Sequence, residues 1–211
     1  VWLAKHLTFS KESRDSTGSD SDREVLLWAA RDGHTDVVKL ALAIRGIDIN
    51  TRDSLGRTPL SLAAEKGHQD VVRLLAEVEG INLESTSGDG LTPLLSALFE
   101  GHEDIMKLFI QTGGIDVNRS TLGRTPLSHA ATLGRYGIVE LLLGAEGIQA
   151  NSKDDDGVTA LIIAAMFGYL EIVKLLLNVE GIEASLRDNS GKTALHYASV
   201  LGHQEIMKLL L

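Results

Sequence analysis

Short apolar stripes of two kinds alternate along the chain, and residues 56–84 show one complete cycle. Leu60, Ala63 and Ala64 stand at positions i, i+3 and i+4, which predicts a short helix with one apolar face. The Val and Leu residues of segment 71–75 supply the apolar stripe of a second helix. The segment 81–84 is predicted to be extended and to lead into a polar loop.

The ends of these helices carry residue types that start and stop helices. Thr58 is predicted to cap the first helix, with Pro59 at the first helical position, where its missing N–H costs nothing. Gly67 is predicted to end that helix in the left-handed conformation. Asp70 places a negative charge near the start of the second helix. The cycle is therefore helix, turn, helix and loop.

The same cycle recurs along nearly the whole sequence. Its Gly-x-Thr triplet has threonine at Thr58, Thr92, Thr125, Thr159 and Thr193, with spacings of 34, 33, 34 and 34. A period of this length predicts a stacked solenoid, in which each unit buries its apolar face against its neighbours. We assign a domain over 18–211 with repeats at approximately 18–51, 52–85, 86–118, 119–152, 153–186 and 187–211.

These residues resemble the ankyrin repeat, through the pattern Gly-x-Thr-Pro-Leu-x-x-Ala-Ala-x-x-Gly-His followed by Val-Val-x-Leu-Leu and glycine. The resemblance implies an all-α ankyrin-repeat solenoid of about six stacked helix-turn-helix units. It also implies projecting fingers, the loops that join one unit to the next. The 34-residue period, with Gly-Ile-Asp-Ile-Asn at 46–50, is similar to the ankyrin arrays of large fungal multidomain proteins.

Several parts of the chain depart from this pattern. The first unit lacks the Thr-Pro cap and is expected to be irregular. The fourth unit is one residue shorter in its finger, between Asn118 and Gly123, and has Arg135 at the position of the recurring histidine. Gly137 lies in a predicted helix start, where local softness is expected. Residues 1–17 are expected to be a remnant helix or a linker, and the two ends suggest a fragment of a longer protein.

Composition and charge restrict the function classes. The chain has no cysteine, which excludes disulfides and thiolate metal sites. A net charge of -9 disfavours nucleic acid as a partner, and no apolar run is long enough to cross a membrane. The expected location is intracellular, either cytoplasmic or nuclear. No metal or cofactor is expected.

Candidate catalytic and metal-binding residues have simpler structural interpretations. Four histidines, His34, His68, His102 and His203, share one phase of the repeat, which indicates hydrogen bonds to neighbouring backbone in the turns. The acidic triplet 154–156 is interpreted as a solvated finger tip, because a calcium loop needs alternating ligands. Phosphate-loop, dinucleotide-binding and serine-nucleophile motifs are absent, so no enzyme activity is predicted.

The resemblance implies that partners bind the finger tips and the two exposed positions that end each first helix. These positions are charged in the first two repeats and become apolar later in the chain. We expect one stripe on the concave face, with Phe99 and Phe167 exposed and the packing of Leu133 and Val200 left open. The predicted stripe comprises Phe99, Leu133, Met166, Phe167, Val200 and Leu201, and the predicted rim comprises Leu55, Arg57, Leu122, Arg124, Asp155, Val158 and Lys192.

Two functions follow from this surface. The first is a protein-interaction module that binds a protein or peptide partner through the concave face and fingers, without catalysis. The second is a structural or regulatory array that packs on a neighbouring domain of its own longer chain.

Overall fold

The computed structural model describes residues 20–211. The expectation for residues 1–17 therefore lies outside the described residues. The chain divides into two compact units, residues 1–93 and 94–211. Each is described by itself below.

In the first unit, the described residues form two helix pairs. Helices α1 (Asp20–Arg31) and α2 (Thr35–Leu42) form one pair, and α3 (Pro59–Lys66) and α4 (Gln69–Ala76) form the next. The first helix of each pair packs on the other first helix, and the two second helices pack together. We call these first helices inner and the second helices outer. Leu26, Leu60 and Leu75 are buried at the centre of this packing.

The second unit repeats the arrangement. Its helices are α5 (Pro93–Glu100, which begins at the last residue of the first unit), α6 (Glu103–Thr112), α7 (Pro126–Thr132), α8 (Tyr136–Leu143), α9 (Ala160–Phe167), α10 (Leu170–Leu177), α11 (Ala194–Leu201) and α12 (Gln204–Leu210). The inner helices α7, α9 and α11 pack side by side, and so do the outer helices α6, α8, α10 and α12. The prediction of an all-α fold of helix-turn-helix units is confirmed across residues 20–211.

The predicted helix caps are present. The Thr58 hydroxyl accepts a hydrogen bond from the backbone N–H of Ser61 at 3.2 Å, and the Ser61 hydroxyl accepts one from the Thr58 N–H at 2.9 Å. Gly67 ends α3 in the left-handed conformation at φ 79°. Alanine replaces proline at the starts of α9 and α11, and Thr159 and Thr193 still cap these helices. The helices therefore begin and end where the local sequence specifies.

Two histidines of the shared phase make the expected hydrogen bonds to backbone of the preceding helix pair. His68 Nε2 lies 2.9 Å from the carbonyl oxygen of Arg31, and His203 Nε2 lies 3.2 Å from that of Met166. Arg135, which replaces histidine in the fourth repeat, donates from its guanidinium to the carbonyl of Phe99 at 3.4 Å. A different side chain thus makes the equivalent link. The nearby Gly137 gives room to the side chain of Glu103 and lies in an eight-residue helix, the same length as the following outer helix α10.

The segments predicted as extended contain a turn. An asparagine of the preceding repeat forms hydrogen bonds to the backbone there. Asn50 donates from its side chain to the carbonyl of Gly80 at 2.9 Å and accepts from the N–H of Asn82 at 2.8 Å. Asn118 and Asn151 make the same pair of bonds to the following repeats. One side-chain amide thereby satisfies both a donor and an acceptor of the neighbouring backbone.

Three fingers share one hairpin loop that is organised by an aspartate. Asp53 Oδ1 accepts hydrogen bonds from the N–H groups of Leu55 and Arg57 at 2.9 and 2.8 Å. Asp154 and Asp188 accept the equivalent pairs in their own fingers. An aspartate with this pattern fixes a turn without any ligand.

The shorter finger of the fourth repeat has a different loop. The N–H and C=O groups of Thr121 pair with those of Arg124 at 2.8 and 3.1 Å, which leaves only Leu122 and Gly123 in the turn. Both have positive φ, 55° and 78°, as a two-residue type I′ turn requires. Leu122 is the one residue other than glycine with positive φ within 20–211. The missing residue thus forces a leucine into a conformation that favours glycine or asparagine.

We expect Leu122→Asn to raise the free energy of unfolding by about 0.5–1 kcal/mol, since asparagine tolerates the left-handed region. Leu55→Asn is the matched control, because Leu55 and Leu122 are each 60% exposed and only Leu122 has positive φ. The control is expected to change stability by less than about 0.5 kcal/mol. Urea unfolding of the three proteins measures the difference, and equal effects of the two substitutions would contradict the strained turn.

Candidate binding surface of residues 94–211

Exposed apolar side chains line the ends of three adjacent inner helices. Leu133 directly follows α7, while Phe167 and Leu201 are the last residues of α9 and α11. These three side chains are 40%, 51% and 50% exposed, and Val200 is 84% exposed. We call Leu133, Phe167, Val200 and Leu201 the apolar strip. The expectation that Phe167 is exposed is confirmed. Leu133 and Val200, whose packing the sequence left open, are also exposed.

Two other predicted members of this stripe are less accessible. Phe99 is half-buried, and its ring meets the ring of His129 edge to face at 5.2 Å. The expectation of an exposed Phe99 is therefore wrong, because the side chain of the next inner helix covers it. Met166 is also half-buried and lines the groove described below.

A groove of about 340 Å³ lies beside the strip, between the inner helices and the fingers. Its apolar side includes Ile163, Met166 and Phe167. Its polar side includes Asp156 and Asn189 from two neighbouring fingers. The groove thus adjoins both a large exposed ring and carboxylate groups.

Arg124 reaches the groove but is held by another finger. Its Nε lies 3.1 Å from Asp154 Oδ2, and its Nη1 lies 3.3 Å from the hydroxyl of Thr132. The Asp154 side chain is only 2% exposed. The expectation that the acidic triplet is solvated is therefore wrong for this residue. It organises the turn and neutralises Arg124, whereas Asp155 and Asp156 are exposed at the finger tip.

Val158 lines the groove but is buried, so it does not stand exposed at the rim as expected. The residue is 8% exposed, and its N–H donates to Asp154 Oδ1 at 2.8 Å. Leu122 and Lys192 are exposed, as a rim requires.

Tyr197 and Asp188 form a polar pair at the groove that sequence reasoning did not single out. The Tyr197 hydroxyl donates to Asp188 Oδ2 at 2.6 Å. This bond lowers the pKa of Asp188 and raises the pKa of Tyr197. Lys192 Nζ lies 5.3 Å from the centre of the Tyr197 ring. Asp188 shares its repeat phase with Asp53 and Asp154, and that coincidence could have revealed it.

In the first unit, the predicted rim residues behave differently. Leu55 is exposed at its finger tip. Arg57 is paired with Asp53 Oδ2 at 2.9 Å and with Glu65 Oε2 at 3.1 Å. Burial opposes ionisation of Asp53, but hydrogen bonds from Arg57 hold the pKa of Asp53 below its ordinary value. The charged positions expected at the ends of α1 and α3 also pair locally, as Arg31 with Asp32 and Lys66 with Glu65.

His129 lies under the fourth finger. Its Nε2 is 3.0 Å from the carbonyl oxygen of Thr121, and the residue is 7% exposed. Burial lowers the pKa of His129, and the positive charge of Arg124 acts in the same direction. The neutral imidazole is therefore part of the packing between α7 and this finger.

Comparisons with known proteins bear directly on this architecture. The family model for ankyrin repeats matches three overlapping segments, residues 2–87, 78–154 and 146–211. No curated protein of similar sequence was found. No helix within residues 20–211 has the length and apolar character needed to cross a membrane.

Solved structures of similar fold include complexes as well as isolated domains. An ankyrin repeat domain from Acinetobacter baumannii AYE is 30% identical, with 88% of this chain and 95% of that chain covered and a TM-score of 0.80. The ankyrin repeat domain of Bcl-3, a member of the IkappaB family, is 27% identical, with 97% and 91% covered and a TM-score of 0.83. A chain from the complex of the endopeptidase Bd0816 of Bdellovibrio bacteriovorus with its immunity protein Bd3460 is 29% identical, with 89% and 96% covered and a TM-score of 0.75.

The neutral state of His129 predicts a pH dependence of stability. Its pKa is lowered on folding, so below the ordinary value of about 6.5 the unfolded chain binds a proton that the folded chain does not. Stability is present above that pH and is lost as pH falls. His129→Gln removes the titrating group, so its free energy of unfolding is expected to fall less than that of the wild type between about pH 7 and pH 5.

Urea unfolding at several pH values measures this difference, and an NMR titration of the His129 ring locates its pKa directly. An unchanged pH slope in His129→Gln would contradict the assignment.

Proposed function

Because the chain belongs to the ankyrin repeat family, whose members generally serve as protein-interaction scaffolds without catalysis, we propose that residues 94–211 bind a protein partner through the apolar strip and the adjoining groove. The observation that carries this proposal is the row of exposed apolar side chains on three adjacent inner helices. We propose no reaction for these residues.

The strip has the composition of an interaction site. Water-exposed apolar side chains that lie next to one another mark binding surfaces more often than isolated ones do. Phe167 lies on the middle one of the three helices and adjoins the groove, and hot-spot residues are typically found near the centre of an interface. Its ring also stacks on Tyr169 at 5.8 Å, which restricts its freedom before binding. A restricted ring loses less conformational entropy when a partner covers it.

The fingers contribute polar groups around this apolar centre. Asp155 and Lys192 are exposed at two successive fingers of the second unit, and the apolar Leu122 is exposed at the finger before them. A polar margin around an apolar centre is typical of protein interfaces. The participation of Leu55 and Arg57 from the first unit stays a prediction.

Capture from host lysate tests the site, using the wild type and the double variant Phe167→Ser/Leu201→Ser. Leu40→Ser is the matched control, because Leu40 is also an exposed leucine (62%) but lies on outer helix α2. We expect the double variant to lose the partner while the control retains it, with similar melting temperatures for all three. With the identified partner purified, the dissociation constant of the double variant is expected to rise by at least roughly 30-fold.

Two results would count against the proposal. Equal capture by the double variant and the wild type would place the binding site elsewhere, for instance on a surface that packs against another domain of the same chain. A large fall in melting temperature would show that Phe167 and Leu201 belong to the core.

A further inference from the structure

Two exposed carboxylates lie at the tip of the finger that borders the groove. Asp156 lines the groove from the tip of the fifth finger, and Asp155 precedes it at the same tip. We call these two residues the acidic rim. Within residues 20–211, neither of them forms an ion pair. Arg124, which also lines the groove, is held by Asp154, and Lys192 lies over the Tyr197 ring.

Hydrogen bonds from the sixth finger hold the backbone of the acidic rim. Asn189 donates from its side chain to the carbonyl of Asp155 at 3.0 Å, and its backbone N–H donates to the carbonyl of Asp156 at 3.0 Å. Asp188 also lines the groove, but it is buried and both of its carboxylate oxygens accept hydrogen bonds within the protein, from the Tyr197 hydroxyl and from the N–H groups of Ser190 and Lys192. The backbone that carries the acidic rim is thus fixed before any ligand arrives, which lowers the entropic cost of binding one.

The groove limits the size of what it can bind. At about 340 Å³ it is at the small end of ligand pockets, which span roughly 300–1,000 Å³. It is also open along the strip, where Phe167 is half exposed. These dimensions suit one large side chain of a longer segment that continues over the strip.

We propose that the partner contributes a peptide segment with a large apolar side chain and a neighbouring lysine or arginine. The apolar side chain enters the groove against Met166 and Phe167, and the cation pairs with the acidic rim. Charge complementarity carries the second half of this proposal, because the rim offers carboxylates without counter-ions in a chain of net charge -9. It rests on the proposed function and names the chemistry of the partner.

The test uses a phage-displayed library of random 12-residue peptides, selected on the 211-residue chain. We expect enriched sequences to combine a large apolar residue with lysine or arginine. Synthetic copies are then measured by fluorescence anisotropy against the wild type, Asp155→Asn/Asp156→Asn and Phe167→Ser. The matched control is Glu146→Gln/Glu180→Gln, which removes two exposed negative charges away from the fingers.

We expect Asp155→Asn/Asp156→Asn to weaken binding by roughly fivefold, from the loss of the partly exposed ion pair between the cation and the acidic rim. Phe167→Ser is expected to weaken it by at least roughly tenfold. The control should bind as the wild type does, and added salt should weaken wild-type binding by screening the pair.

The outcomes separate this proposal from the proposed function. Peptides that lack a cation, or that bind the asparagine variant as tightly as the wild type, overturn the basic partner and leave the apolar site in place. Peptides that bind Phe167→Ser as tightly as the wild type overturn both this proposal and the proposed function. If no peptide is enriched, the proposal that the partner contributes a peptide segment is overturned. The site would then bind a folded surface, which the lysate capture tests separately.

Discussion

The close approach of neighbouring inner helices is the constraint on which the rest of this structure depends. Most of these helices have only eight residues, which is too short to be stable in isolation. Stability has to come from contacts with the adjacent repeat. The alanine pairs at 63–64, 130–131 and 164–165 are completely buried, and such small side chains let inner helices lie close together. The backbone links made by histidine, arginine and asparagine side chains act on the same interface.

This constraint decides where function can reside. The packed faces of α7, α9 and α11 contact neighbouring helices. The residue types at the helix ends and in the fingers can therefore vary without disturbing this packing. Leu133, Phe167 and Leu201 occupy those ends, where a large apolar side chain does not enter the contact between helices. A binding surface can therefore change without altering the stack, because distant, independent positions contribute additively to stability.

The sequence was sufficient for the helices and their caps, because those depend on residues within one repeat. It was insufficient where one repeat covers part of another. Phe99 is half-buried because His129 comes from the next inner helix, and a periodic pattern does not show which side chain covers which. The missing residue before Leu122 was visible, but its effect on φ follows from the closure of a two-residue hairpin. Tyr197 was overlooked because leucine, serine, histidine and isoleucine occupy its phase in the other repeats.

The acidic triplet shows how backbone geometry assigns different roles to identical side chains. Asp154 accepts two N–H groups and pairs with Arg124, so its charge is used within the protein. Asp155 and Asp156 follow in the turn and have no ion-pair partner among residues 20–211. The first carboxylate stabilises the finger and the next two remain available because a hairpin loop can direct only one of three consecutive side chains onto its own N–H groups. Composition alone could not separate these roles, since the sequence is the same at all three positions. The availability of the second and third aspartates is therefore a consequence of the turn that the first one stabilises.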